Sequence, residues 1–200
     1  MKKIAVFASG SGSNFQQIID RLDPKDGKVE LLVSDQEKAG ALERAAKANI
    51  EALVFNSAEK QSAQRVMEQL EEKKIDLIVL AGYLKIVPPD MVARYKNKIV
   101  NIHPSLIPAF SGEGFYGLKV HQKAIEYGVK VSGATVHFVD EQADTGPVIL
   151  QRCVAVDHND TPESLQKKVL GLEHEMLIEA VRLFCRNQID VIGRKVYIKS

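Results

Sequence analysis

The chain has 200 residues, 27 of them basic and 26 acidic, and 45% are apolar. That length suits one α/β domain or two very small ones, and folding should bury roughly 70% of the unfolded surface without disulfides or metals as supports. A charged fraction of 26% and a net charge of +1 exclude a disordered chain and give no electrostatic case for nucleic acid or an anionic membrane, so any bound anion must be gripped locally.

The two cysteines, Cys153 and Cys185, form no C-x-x-C pair, and the five histidines form no H-E-x-x-H. The longest apolar run, residues 77–84, is far short of a membrane span. Residues 4–8 are too few for the apolar core of a signal peptide, and Gly and Ser follow at once. A cytoplasmic enzyme or binding domain is the expectation.

In chain order, residues 3–8 read as a buried strand and residues 9–13 as a loop. Residues 14–22 read as a helix with Phe15, Ile18, Ile19 and Leu22 on one face. Strand 29–34, helix 39–48, strand 52–55, a charged amphipathic helix 59–74 and the very apolar strand 75–81 follow. Strands separated by helices of this length demand parallel crossovers, hence a doubly wound, mostly parallel sheet with flanking helices. A short helix near residues 90–95 and a strand at 99–101 lead into a Pro/Gly-rich stretch. Two strand-like segments, 131–139 and 148–156, predict one antiparallel region in the C-terminal half. A long helix runs from about 161 to 185, with Thr161 and Pro162 suited to the N-cap and first helical position. The tail, 189–200, reads as a short strand pair or an extended arm.

Four segments can carry chemistry. Gly10-Ser11-Gly12-Ser13-Asn14 lies between a strand and a helix, where glycines permit a tight turn and a helix start offers free N–H groups to an anion. A dinucleotide fingerprint needs a third glycine where Phe15 stands, so the loop suits one phosphate monoester; the plain alternative is a glycine turn capped by Ser13 or Asn14. In Asn101-Ile102-His103-Pro104, proline holds His103 extended, and residues two apart then point the same way. An amide donor beside an imidazole at the C-terminal end of a strand can polarise a carbonyl and move a proton. The loop from Asp140 to Pro147 holds three carboxylates, which by default are solvated turn acids. Glu173 sits at the edge of an apolar helical stripe (Leu165, Val169, Leu172, Met176, Ala180, Phe184) and needs a cation of the protein or a ligand amine as partner.

Taken together, these segments resemble the phosphoribosylglycinamide formyltransferases over almost the whole length. The matching residues are Phe7 to Asn14, Ala81-Gly82-Tyr83-Leu84-Lys85-Ile86, Asn101-Ile102-His103-Pro104-Ser105-Leu106-Ile107-Pro108, and Val136-His137-Phe138-Val139 followed by Asp144-Thr145-Gly146-Pro147. The resemblance implies a Rossmann-like formyltransferase fold in a single domain, residues 1–200, with a phosphate-binding half to residue 100 and a catalytic, folate-binding half beyond it. It implies direct formyl transfer from 10-formyltetrahydrofolate to the glycyl amine of glycinamide ribonucleotide, with no metal. Gly12, Ser13 and Asn14 would hold the ribose phosphate and Glu173 the glycyl amine. Asn101 would bind the formyl oxygen, His103 would be the general acid, and Asp144 would support it. Leu84, Lys85, Ile86, Val87, Asn101 and Asp140 would line the pterin pocket, with Lys60 or a neighbour meeting the folate. The implied partners are small molecules only, in a monomer or homodimer.

Two departures stand out. Ser11 replaces the usual Asn, and residues 111–117 are longer than the usual Pro-Gly turn, which bears on the folate rim rather than the chemistry. The rival readings are a formyltetrahydrofolate deformylase, which would use the same three residues with water as the acceptor, a methionyl-tRNA formyltransferase, and a non-catalytic nucleotide-binding domain. Deformylases typically carry an extra N-terminal domain and the tRNA enzymes a C-terminal one, and this chain has no basic surplus for tRNA.

Overall fold

Ile4, Ala5, Val6 and Phe7 are all buried because their strand is paired on both edges and covered on both faces, which is why it reads as a continuous apolar run. The computed structural model describes residues 1–55 and 60–199, with Lys60 described by its backbone only. In chain order the elements of the first half are β1 (Lys2–Phe7), α1 (Ser13–Arg21), β2 (Gly27–Ser34), α2 (Gly40–Lys47), β3 (Glu51–Val54), α3 (Lys60–Glu72), β4 (Leu77–Leu80), α4 (Pro89–Arg94) and β5 (Ile99–His103). The second half holds α5 (Leu118–Tyr127), β6 (Val131–Phe138), β7 (Val148–Ala155), α6 (Pro162–Cys185), β8 (Ile189–Ile192) and β9 (Lys195–Ile198). The strand order is β3-β2-β1-β4-β5-β6-β7, with β8 and β9 forming a separate pair.

The chain divides into two compact units, Met1–Val100 and Asn101–Ser200. In the first, β1 pairs in parallel with β2 and β4, and β2 in parallel with β3. The expected alternation of strand and helix is borne out, with boundaries shifted by one or two residues. In the second unit β6 and β7 are antiparallel, as expected for a short hairpin-like connection. Its helix α6 packs against β6, β7 and α5.

The start of α6 follows its sequence. Thr161 Oγ1 accepts from the Ser164 amide at 3.2 Å, and Ser164 Oγ accepts from the Thr161 amide at 3.0 Å, a reciprocal cap with Pro162 at the first helical position. The buried face is wider than the expected stripe: Leu177, Ile178 and Val181 join it, whereas Leu172 and Phe184 are half-buried. The tail forms the strand pair rather than an extended arm. One helix, α5, lies in the stretch read as irregular. Its buried residues, Val120, His121 and Ala124, include a histidine, so the apolar spacing is weak.

Candidate active site

Period-two geometry sets the first pair. On β5 Val100 and Ile102 share one orientation and Ile99, Asn101 and His103 the other, so Asn101 and His103 are presented together at the strand's end. The segment after Pro104 is held by Thr135 of β6, whose Oγ1 donates to the Ser105 carbonyl at 2.6 Å and accepts from the Ile107 amide at 3.1 Å. Ser105 Oγ closes the turn on the Ala109 carbonyl at 2.6 Å. This turn brings the Phe110 carbonyl to 2.9 Å from His103 Nε2, so that nitrogen carries a hydrogen. His103 Nδ1 is 3.4 Å from Asp144 Oδ2. One ring nitrogen is thus a fixed donor, and the other is the place where a proton can be taken up and released.

The three residues expected to act together are brought together, and a fourth joins them. That fourth residue is His137 of β6, which the sequence presents only within the segment Val136-His137-Phe138-Val139. Its Nδ1 lies 2.8 Å from its neighbour's carbonyl, Phe138 O, which assigns the ring proton to Nδ1. Nε2 is then an acceptor for Asn101 Nδ2 at 3.1 Å. The same Asn101 nitrogen is 3.4 Å from Asp144 Oδ1. Turning the amide over would aim its oxygen at a carboxylate, so this orientation is the favoured one. Of the two Asn101 hydrogens, one is firmly held by His137 and the other only loosely by Asp144. The loosely held one is available to a ligand oxygen. A register shift between β6 and β7 falls at Val136/His137, the kind of irregularity that re-aims a side chain at a sheet end. Spacing alone does not single out His137, because the register shift at Val136/His137 interrupts the regular pairing of β6.

The electrostatics follow from burial. Burial holds the His103 ring below the ordinary imidazole value; the Asp144 carboxylate and the Phe110 carbonyl oppose that, while His137 adds to it. For Asp144, burial pushes the carboxyl up, but the adjacent His137 and His103 rings and the Gly112 amide at 2.9 Å prevail, so it stays below the usual carboxylate range.

His121 on α5 was also missed. It is buried, its Nδ1 has no hydrogen-bond partner among the described residues, and burial with the nearby His103 pushes it down to about 4. The unfolded chain would bind a proton near 6.5, so between those values the unfolded state holds more protons and stability falls as pH falls. Urea unfolding at pH 7 and pH 5 should show about 2 kcal/mol less stability at pH 5 from this residue, and His121→Asn should flatten that loss. An equal pH 7 to pH 5 difference in the variant would refute the assignment.

Asp144 has φ of 57°, left-handed backbone that a non-glycine residue adopts only when its surroundings hold it. The loop supplies such ties: Thr145 Oγ1 donates to Asp140 Oδ1 at 2.6 Å, and the Phe138 amide donates to the Pro147 carbonyl at 2.8 Å. Asp140 is therefore engaged by its own loop, which makes its carboxylate a turn-former before it is anything else. Glu173 is half-buried on α6 and makes interactions of its own. His174 beside it is also half-buried.

In the first unit, Gly12 has φ of 73° and stands at the N-cap of α1, with no side chain capping the helix start. The capped-turn alternative is thereby disfavoured. A Cβ at Gly12 would lie 2.8 Å from Ala41 Cα, so the glycine is required by the approach of α2 as well as by its φ. Arg44 of α2 donates from Nε to the Ser11 carbonyl at 2.8 Å and stiffens the loop from outside. Ser13 is half-buried and Asn14 buried. Ser9 Oγ accepts from the Leu84 amide at 2.9 Å, tying this loop to the one after β4. There Leu84 and Ile86 are exposed, 58% and 82%, Lys85 is exposed and Val87 is buried. Two exposed aliphatic side chains on one short loop suit a flat, partly apolar ligand. The Lys60 side chain lies outside the described residues. Among the described residues, no group of three or more His, Cys, Asp or Glu could hold a metal ion, and no helix is long and apolar enough to cross a membrane.

Comparison with known proteins identifies the family. Residues 2–181 match the formyl transferase family model. The chain is 42% identical over 195 residues to the chloroplastic phosphoribosylglycinamide formyltransferase of Arabidopsis thaliana, spanning 94% of this chain and 67% of that protein. It is 44% identical over 181 residues to the phosphoribosylglycinamide formyltransferase of Bacillus subtilis, spanning 88% of this chain and 90% of that one. The crystal structure of glycinamide ribonucleotide transformylase 1 from Symbiobacterium toebii superposes with a TM-score of 0.91 at 40% identity, covering 100% of this chain and 95% of that one. The chain belongs to the formyl transferase family.

Proposed function

We propose that this protein transfers the formyl group of 10-formyltetrahydrofolate to the glycyl amine of glycinamide ribonucleotide in purine biosynthesis, acting in the cytoplasm on small molecules alone. The observation that carries the reading is the clustering of Asn101, His103, His137 and Asp144 within 3.5 Å contacts, in a chain so similar to named formyltransferases.

The acceptor amine attacks the formyl carbon, building negative charge on the formyl oxygen and positive charge on the amine nitrogen. Asn101 donates its loosely held hydrogen to that oxygen. The amine must then lose a proton and the departing folate nitrogen must gain one. His103 carries that proton on Nδ1, with Nε2 kept in place by the Phe110 carbonyl. Asp144 stabilises the imidazolium and sets the ring's orientation. Ser13 and Asn14 bind the ribose phosphate at the uncapped start of α1, with Gly12 shaping the turn. Glu173 binds the glycyl amine. The loop of Leu84, Lys85, Ile86 and Val87, with Asp140, lines the pterin site.

The direct test is an assay with 10-formyltetrahydrofolate and glycinamide ribonucleotide, alongside a control lacking the acceptor. Formyl folate consumed only when the ribonucleotide is present supports transfer. Equal consumption in the control would identify a deformylase instead.

The phosphate assignment has its own test. Gly12→Val would strike Ala41 and so reports on folding. Ser13→Asp is better, because an acid in the first helical turn suits the helix dipole while repelling a phosphate. KM for the ribonucleotide should rise by about one to two decades, the scale of a lost charge-assisted contact, with KM for the folate unchanged. Equal effects on both substrates would count against a phosphate at this loop.

A further inference from the structure

The hairpin of β8 and β9 reaches the loop that holds Asp144. Its strands pair Ile189 with Ile198 and Ile192 with Lys195, leaving Gly193 and Arg194 as a two-residue turn. Gly193 has φ of 60° and Arg194 is not left-handed, which is the pattern of a type II′ turn, the form that matches strand twist. The hairpin is fastened at its base: the Lys199 amide donates to the Gln188 carbonyl at 2.9 Å, and the Gln188 amide to the Leu183 carbonyl of α6 at 2.9 Å. Strand β9 also packs against β7. The arm is thus fixed to the body of the second unit. At its tip, Arg194 Nη2 donates to the Thr145 carbonyl at 2.7 Å, across 49 residues of sequence.

Thr145 follows Asp144, the residue held at φ of 57°. We propose that Arg194 is a positioning residue for formyl transfer: its guanidinium anchors the Thr145 carbonyl and so keeps Asp144 in the left-handed conformation that aims its carboxylate at His103 and Asn101. This rests on the roles given above to Asp144 and His103. Other ties on the loop, from Thr145 to Asp140 and from Gly112 to Asp144, lie on the side chains of the loop or on the carboxylate itself. Arg194 is the tie that comes from the C-terminal hairpin and grips the backbone next to Asp144. The titratable groups facing the Asp144–His103 pair are His137 and His121, and neither is altered by changing Arg194.

The test compares Arg194→Met, which keeps the aliphatic stem, with Arg194→Lys and Asp144→Asn. Arg194→Met should lower kcat about tenfold, the scale of a modest misplacement of a catalytic group. KM for the ribonucleotide and the melting temperature should stay near the wild-type values. The fall of kcat at rising pH should begin at lower pH, because a loosened Asp144 supports the His103 imidazolium less. Arg194→Lys, which retains a cationic donor, should recover most of the rate. Wild-type kcat and pH profile in Arg194→Met, with Asp144→Asn strongly impaired, would overturn this inference alone. If Asp144→Asn itself leaves the rate unchanged, the reading of the site fails with it. A loss in Arg194→Met matched by a fall in melting temperature, with no change in pH profile, would make Arg194 structural and also overturn it.

Discussion

His103→Ala is expected to lower kcat by at least about two decades, the usual scale for a positioned acid, while KM for both substrates changes little. The ring is held at both nitrogens, by Phe110 O at 2.9 Å and by Asp144 at 3.4 Å, so its contribution is proton traffic at a set place rather than general packing. Asp144→Asn should act through the same ring. Burial already holds His103 below the ordinary value, and the carboxylate is the main group opposing it. Removing that charge should lower the His103 pKa further, so the acid form is lost at a lower pH and the descending limb of the kcat–pH profile moves down in pH. Each unit of that shift corresponds to about 1.4 kcal/mol of interaction between the two groups. NMR titration of His103 in the wild type and in Asp144→Asn reads the coupling directly. Identical titration curves would leave Asp144 with no electrostatic role at His103.

The second large effect is expected at Asn101. Asn101→Ala removes the donor to the formyl oxygen, and a placed donor of this kind contributes about 2.7–4 kcal/mol, or two to three decades in kcat. It also strips His137 Nε2 of the donor it meets at 3.1 Å. His137→Gln separates the two effects, because it leaves the Asn101 hydrogens in place but frees the amide to turn. A loss in His137→Gln much smaller than in Asn101→Ala would mean that the donor itself carries the effect. A change confined to KM for the folate in Asn101→Ala would mean that Asn101 binds the co-substrate without stabilising developing charge.

Much of this was legible in the sequence for physical reasons. Residues 4–8 and 77–81 are apolar on both faces, as central strands require, and Thr161-Pro162 announces a helix start. The spacing of Asn101 and His103 placed both at one strand end. What could not be read was the partner of each group. Nothing in the order Thr135-Val136-His137 tells that His137 orients the Asn101 amide, since that needs the alignment of β6 beside β5. The carbonyl of Phe110 carries no side-chain signal at all. Helix α5 hid because a histidine occupies one of its core positions. Gly12 looked like a space for an anion, yet the approach of Ala41 explains it first.

The two irregular segments beside Asp144 differ in how freely their lengths can drift. From Asp140 to Pro147 the ends are sewn together by the Phe138–Pro147 hydrogen bond, and a Cβ on Gly146 would run into the Phe138 carbonyl. An added residue there has nowhere to go without unseating Asp144. Between Gly112 and Gly117, by contrast, Gly112, Gly114 and Gly117 all have positive φ and open space around them. Only the Gly112 amide is tied to the chemistry, through Asp144 Oδ2 at 2.9 Å. Residues added after Gly112 are therefore expected to leave Asp144 in place, whereas residues added between Asp140 and Pro147 are not.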